Sequence, residues 1–158
     1  MLRRALPSDV PAACNIVFGS LEAFGITPAP GGRDSDIFAF GSRPSHDDWV
    51  FELPRDKGER PLVVGMIALG PHEGGGWISK LFVSARARRL GVGRALLERA
   101  VESARERGYT RVGLRTRAIF VDAVRLYERS GFIRMPMRGD YADADTDDRV
   151  YELVLRRR

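Results

Sequence analysis

Residues Trp77 to Gly93, WISKLFVSARARRLGVG, decide how the chain reads. A β-rich run from Trp77 to Val83 enters an arginine-rich connection and then a glycine-punctuated turn. The turn opens a long amphipathic segment from Val92 to about Arg107. The order is strand, basic turn, helix N-terminus. The first backbone N–H groups of a helix have no intrahelical acceptor, and they sit at the positive end of the helix dipole. Glycine lets a bulky anion approach such a backbone closely. Arg88, Arg89 and Arg94 add fixed positive charge. The stretch is built to receive a phosphate or pyrophosphate group.

Two common phosphate loops fail on particular residues. A Walker loop needs Gly, four residues, then Gly-Lys-Ser/Thr. Here Gly91-Val92-Gly93 runs into Arg94-Ala95, with neither the lysine nor the Mg²⁺-binding hydroxyl. A dinucleotide fingerprint needs a third glycine three residues after Gly93, where Leu96 stands, and an acidic residue at the end of the next strand. That strand ends Leu114-Arg115-Thr116.

Arg88-x-x-Gly91-x-Gly93, between a strand and a helix, resembles the acyl-CoA pyrophosphate loop of the GNAT superfamily of N-acetyltransferases. Downstream, Ala123-Val-Arg-Leu-Tyr127-Glu-Arg-Ser-Gly-Phe132 is similar to the second signature of that family, a helix carrying Leu-Tyr-Glu followed by Gly-Phe. The two signatures stand in the family's order and spacing. The resemblance is specific over Trp77 to Phe132 and loose elsewhere. It implies an α/β (α+β) fold, with a central twisted, mostly antiparallel sheet of six to seven strands flanked by helices on both faces.

At 158 residues the chain is expected to form one domain over residues 1–158, with a substantial core. No apolar run reaches the length of a membrane span, and the stretch opening Met1-Leu-Arg-Arg lacks the apolar region of a signal peptide, so neither is expected. A lone cysteine, Cys14, leaves no intrachain disulfide framework and fits a reducing cytoplasm. The net charge of +5 rests almost wholly on arginine and suits anionic ligands. Most of these arginines read equally well as a solvated, salt-bridged surface.

In chain order, Leu2 to Leu6 reads as a first strand. Pro7-Ser8-Asp9 offers a cap for a helix over Val10 to Phe24, with Cys14 a small core residue inside it. Gly25 to His46 is a long loop with one short helix near Ser35 to Phe40, and loops of that length are often functional. Asp48 to Leu53 alternates like a strand. Pro61 to Leu69 is continuously apolar, as a strand buried on both faces should be. Pro71 to Gly76 is a turn joining it to Trp77–Val83 in a hairpin. Leu96, Ala100, Val101 and Ala104 form one stripe of the next helix, opposite Arg94 and Glu98, which are spaced for an i,i+4 pair. Arg111 to Thr116 is a strand, Phe120 to Arg129 a helix, and Phe132 to Met135 and Arg149 to Leu155 the last strands, with an acidic loop from Asp140 to Asp148. His46 and His72 lie in polar turns with no ligand cluster, so no metal site is read.

Acetyl transfer to an amine needs a neutral amine, a polarised carbonyl and a proton for the departing thiolate. The resemblance implies that Leu81, Phe82 and Val83 meet the pantetheine arm and carbonyl of acetyl-CoA through their backbones. It implies that Arg88, Arg89, Leu90, Gly91, Val92, Gly93 and Arg94 hold the pyrophosphate, and that Tyr127 serves the leaving sulfur. Against that role, Phe120, Val124 and Tyr127 form a helical stripe, which by itself favours a packed aromatic. The same resemblance puts the Gly25–His46 loop beside the acceptor and allows a homodimer.

Two positions depart from the family pattern. Many members carry Asn seven residues before the tyrosine, where this chain has Phe120. Many carry an acidic residue on the strand before the loop, where this chain has Trp77, Ser79 and Lys80. The general base is therefore open among Glu52, Glu73, Asp140 and a water chain. The implied activity is transfer from acetyl-CoA to an amine on a small molecule or a protein N-terminus. A non-catalytic acyl-CoA-binding module is the first rival. A nucleic-acid-binding protein is disfavoured, because there is neither a stacking platform of interleaved aromatics nor a densely basic helix face.

Overall fold

The computed structural model describes residues 1–137 and 147–156. Seven strands and three α-helices follow one another as β1 (Leu2–Arg4), α1 (Val10–Ala23), β2 (Asp47–Leu53), β3 (Leu62–His72), β4 (Gly75–Val83), α2 (Val92–Glu106), β5 (Arg111–Arg117), α3 (Val121–Arg129), β6 (Ile133–Met135) and β7 (Asp148–Val154). The strands form a single sheet in the order β1-β2-β3-β4-β5-β7-β6. Every neighbouring pair is antiparallel except β4 and β5. The expected fold, a mostly antiparallel sheet of six to seven strands between helices, is the one observed.

Alternation along β3 and β4 sends side chains to two cores. On one face Ile67, Leu69 and Ile78 meet Leu96, Leu97, Ala100 and Ala104 of α2 and Val124 and Tyr127 of α3. On the other, Val50, Met66 and Ala68 meet Ala13, Val17 and Leu21 of α1, together with Ile37 and Phe40 of the long loop. β3 is buried from Val64 to Gly70, as its unbroken apolar run requires. Cys14 packs at the edge of the second core, and burial pushes its thiol pKa up, which leaves it a packing residue.

Several local expectations are corrected. The β3–β4 turn is shorter than Pro71–Gly76: Pro71 pairs with Gly76 and His72 with Gly75, leaving Glu73-Gly74 as a two-residue turn with positive φ at both positions (47° and 78°). The short helix of the long loop is a 3-10 segment, Ser35–Ala39. Asp9 does not cap α1 through its side chain. Its carboxylate instead accepts from the Leu6 N–H at 2.7 Å and from the Arg3 guanidinium. Phe120 precedes α3 rather than opening its apolar stripe. It packs with the α1-side core, while Val124 and Tyr127 pack on the α2 side.

The position of α2 matters most for the site, and both its ends are fixed. At its C-terminal end Asp47 of β2 accepts from Arg107 at 3.0 Å and from Arg4 of β1. The Arg4 and Arg99 guanidiniums lie 5.2 and 4.7 Å from the centre of the Trp49 ring, each a cation–π contact. At its N-terminal end Val92 and Leu96 lie directly on Gly65 of β3. A Cβ at residue 65 would come within 2.8 Å of Val92 Cγ1 and 2.9 Å of Leu96 Cδ1. Gly65→Val therefore overpacks this seat, at a cost of about 1–3 kcal/mol. We expect its melting temperature to fall by roughly 2–4 °C per kcal/mol, measured by calorimetry. An unchanged value would mean that α2 does not rest on Gly65.

Candidate active site

The site begins with a parting of two strands. β4 and β5 pair in parallel only through Gly76–Ile78 and Val112–Leu114. Beyond that point β4 stays bonded to β3 as far as Val83, and β5 stays bonded to β7 as far as Arg117. Ser79 is an extra residue on β4, because Ala68 pairs with Lys80 while Leu69 pairs with Ile78. Such a bulge increases local twist and turns the strand away from its neighbour. Ser79 to Val83 are thus left without a strand partner on the β5 side.

A cleft of about 1320 Å³ occupies the parting. Leu81, Phe82 and Val83 line it, as do Arg88, Arg89, Gly91, Val92, Gly93 and Arg94, and Tyr127 reaches it from α3. Leu90 does not line it and points outward at 61% exposure. The structure thus brings together the expected residues except that one side chain.

The loop end of the cleft suits an anion. Gly91 caps α2 with φ 76°, and Arg89 has φ 65°. A non-glycine residue in the left-handed region is uncommon and strained, and such strain clusters at functional sites. Ala95 N–H donates to Gly91 at 3.0 Å, closing the first turn. The N–H groups of Val92, Gly93 and Arg94 find no acceptor among the described residues and remain free for a ligand. A Cβ on Gly93 would lie 3.4 Å from Leu126 Cδ2 and 3.6 Å from Val83 Cγ2, so a branched side chain there would crowd the floor between β4 and α3. Arg94 pairs with Glu98 at 2.9 Å, the expected i,i+4 contact. Arg88 and Arg89 are exposed and have no ion-pair partner among the described residues. Farther in, Arg115 and Arg117 line the cleft but are paired with Asp148 and Asp147.

Tyr127 stands in the middle. It is 4% exposed, with its ring 5.8 Å from Phe132 and 6.2 Å from Tyr151. The packed-aromatic and cleft-lining readings both describe it: the ring belongs to the core and the residue also borders the cleft. Its hydroxyl has no hydrogen-bond partner among the described residues. Burial pushes its pKa well above the ordinary tyrosine value, so the phenol stays protonated at neutral pH.

The α1 side of the cleft has a different character. Phe24, Phe82 and Phe120 line it with Ile26. Lys80 projects to the same face, is itself buried, and meets Asp36 of the long loop at 2.9 Å. Asp36, Lys80, Phe24 and Ile26 are site residues that sequence reasoning did not single out. The length of the Gly25–His46 loop hinted at Asp36 and Ile26, and Lys80 stood out only as a departure from the family pattern. Glu52 pairs with Arg3 and does not line the cleft, nor does Glu73 of the β3–β4 turn. Asp140 lies outside the described residues. Among the described residues no group of three or more His, Cys, Asp or Glu could hold a metal, and no helix is long and apolar enough to cross a membrane.

Comparison with known proteins adds to this geometry. Residues 21–132 match the model of the acetyltransferase (GNAT) family. The chain belongs to that family. The uncharacterized N-acetyltransferase YjgM of Escherichia coli K12 is 30% identical to it over 141 residues, covering 84% of this chain and 81% of that protein. Among solved structures, a GNAT acetyltransferase from Staphylococcus aureus Mu50 superposes with a TM-score of 0.81 at 19% identity, over 99% of both chains. PaiA N-acetyltransferase from Thermoplasma acidophilum, solved with coenzyme A, gives a TM-score of 0.73 at 14% identity over 98% of both chains. At these identities the two structures speak for the fold.

Burial of Tyr127 has a measurable consequence. A phenol whose folded pKa lies above its unfolded value contributes stability that is full below the unfolded value, about 10, and is lost as pH rises through the folded one. The ultraviolet tyrosinate titrations of wild type and Tyr127→Phe should therefore coincide up to about pH 11. The variant should also lose less stability than wild type above about pH 10. A tyrosinate signal near pH 10 that vanishes in the variant would show that the phenol is not buried.

Proposed function

We propose that the protein is an acetyltransferase that moves the acetyl group of acetyl-CoA to a primary amine by direct attack, without an acyl-enzyme. The observation that carries this reading is the cleft itself, with free helix N-terminal amides at one end and the Tyr127 phenol between the parted strands. The pyrophosphate meets the amides of Val92, Gly93 and Arg94, and Arg88 and Arg89 supply charge-assisted contacts. The pantetheine arm bonds to the open edge of β4 at Leu81, Phe82 and Val83, as an added strand would. The lone Cys14 is compatible with the reducing cytoplasm as the place of action.

In the transfer a C–N bond forms and the C–S bond breaks. The amine loses a proton to solvent, and the sulfur leaves as a thiolate that takes its proton from solvent. Tyr127 hydrogen-bonds the departing sulfur and stabilises its developing charge. Its raised pKa suits a hydrogen-bond donor better than a full proton donor, because a thiolate of ordinary basicity, near 8.5, does not take a proton outright from so weak an acid. With Glu52 and Glu73 away from the cleft, Asp36 is our candidate to draw in the ammonium group, whose proton leaves to solvent because a carboxylate paired with Lys80 is too weak a base to take it. Lys80 holds that carboxylate in place.

Binding and chemistry are tested separately. Acetyl-CoA at 100 times its Kd should stabilise the protein by about 2.7 kcal/mol, a shift of several degrees, while NAD and ATP do much less. Gly91→Val should lose this shift, since a β-branched residue strongly resists the φ of the cap. Equal stabilisation by NAD would contradict the reading of the loop.

Tyr127→Phe keeps the ring and its core contacts. Its acetyl-CoA shift should match wild type, while turnover on an accepted amine falls about 10²-fold, the scale for losing a hydrogen-bond donor aimed at developing charge. Normal turnover would leave Tyr127 a packing residue. Binding without turnover on any amine would favour the non-catalytic acyl-CoA module.

A further inference from the structure

The acyl-CoA loop and the aromatic wall lie on opposite faces of the sheet. Val92, at the start of α2, packs into the core shared by α2 and α3. Phe82 and Phe120 pack against the α1-side core, and Phe24 follows α1 directly. Phe120 meets Phe24 edge-on at 4.9 Å between ring centres and Phe82 edge-on at 6.2 Å. The three rings come from the end of α1, from β4 and from the residue before α3. They converge on the cleft, and each remains partly exposed there. Aromatic surface left facing water is a standing cost, recovered by whatever covers it.

We propose that the acceptor is a primary amine carried on an apolar body about the size of an aryl ring, selected by Phe24, Phe82 and Phe120. The inference rests on the acetyltransferase reading above and adds the class of acceptor. Phe120 occupies the position where the family pattern places Asn, so an apolar surface stands where a polar amide would. The wall is on the face away from the pyrophosphate loop, which separates it from the donor's nucleotide. Lys80, two residues from Phe82 on the same strand, and its partner Asp36 line the same cleft as the rings, so an ammonium group on a short linker meets charge while its apolar body meets the rings. A strongly hydrophilic polyamine would leave the rings uncovered and gain nothing from them.

The test compares 2-phenylethylamine, ethanolamine and spermidine. Each is titrated calorimetrically into the protein saturated with coenzyme A, and each is assayed with acetyl-CoA by release of free thiol. Phenylethylamine should bind at least 10-fold more tightly than ethanolamine, within the range that apolar pockets achieve. Phe120→Asn should cut the phenylethylamine-to-ethanolamine ratio of kcat/KM by 10-fold or more, mainly through the KM for phenylethylamine, with the KM for acetyl-CoA unchanged. Phe120→Leu should retain more of the ratio than Phe120→Asn, and Phe24→Ala should lower it independently. Melting temperatures check that each variant is folded. Tighter binding of ethanolamine or spermidine would overturn the proposal. So would a Phe120→Asn effect confined to acetyl-CoA, since the rings would then hold the donor's arm. If no amine yields thiol, the acetyltransferase reading fails while the calorimetric preference still decides what the wall selects.

Discussion

Three residues of parallel pairing hold the middle of this sheet together. Gly76–Ile78 and Val112–Leu114 join β4 to β5, and beyond them the strands separate. Each stays saturated on its outer side, β4 by β3 and β5 by β7. The sheet can therefore open at its centre without unravelling. Gly113 assists the closed end: a Cβ there would meet the Trp77 ring at 2.9 Å, so the indole lies across the neighbouring strand only because residue 113 lacks one. The opening leaves a row of backbone groups in a cleft, where an extended ligand can satisfy them.

The helices give the opening two unlike sides. On the α2 side the loop presents strained backbone, together with amides and the Arg88 and Arg89 guanidiniums that have no partner among the described residues. Arg115 and Arg117 carry the same charge but are each held by an aspartate. Arginine content alone therefore says little about where an anion goes. What matters is which guanidiniums the fold leaves unpaired beside free N–H groups. On the α1 side an aromatic lining stands beside an ion pair whose lysine is buried and whose aspartate is part-exposed. Lys80 loses hydration in that position, and Asp36 is the group that compensates it. The stretch of β4 in which the family resemblance leads one to expect an acid holds Trp77, Ser79 and Lys80 here, and a carboxylate comes to Lys80 from the long loop.

Much of this was legible along the chain. Gly91 and Gly93 between a strand and a helix marked the anion end, because the need for a close backbone approach is written in local residue types. The Leu-Tyr-Glu…Gly-Phe run located α3. The unbroken apolar run of β3 and the stripe of α2 gave the core, since burial imposes a period on sequence. The family and the order of elements follow from these local signals.

The tertiary structure decided the rest. No period in the sequence links Asp36 to Lys80, or Phe24 to Phe82 and Phe120, because contacts between distant residues depend on how strands and loops are placed rather than on neighbouring residues. The split of Phe120 from Val124 and Tyr127 has the same origin. Helical spacing predicts one stripe, but α3 begins a residue later and the ring turns to the other face of the sheet. Glu52 and Glu73 looked as suitable as any carboxylate along the chain, and the fold leaves both outside the cleft. Sequence alone determined the glycine turn and helix start at which we place a phosphate-bearing ligand. The three-dimensional packing of α1, the long loop and β4 determined what faces that ligand from the other side, because only there do side chains from separate elements share one surface.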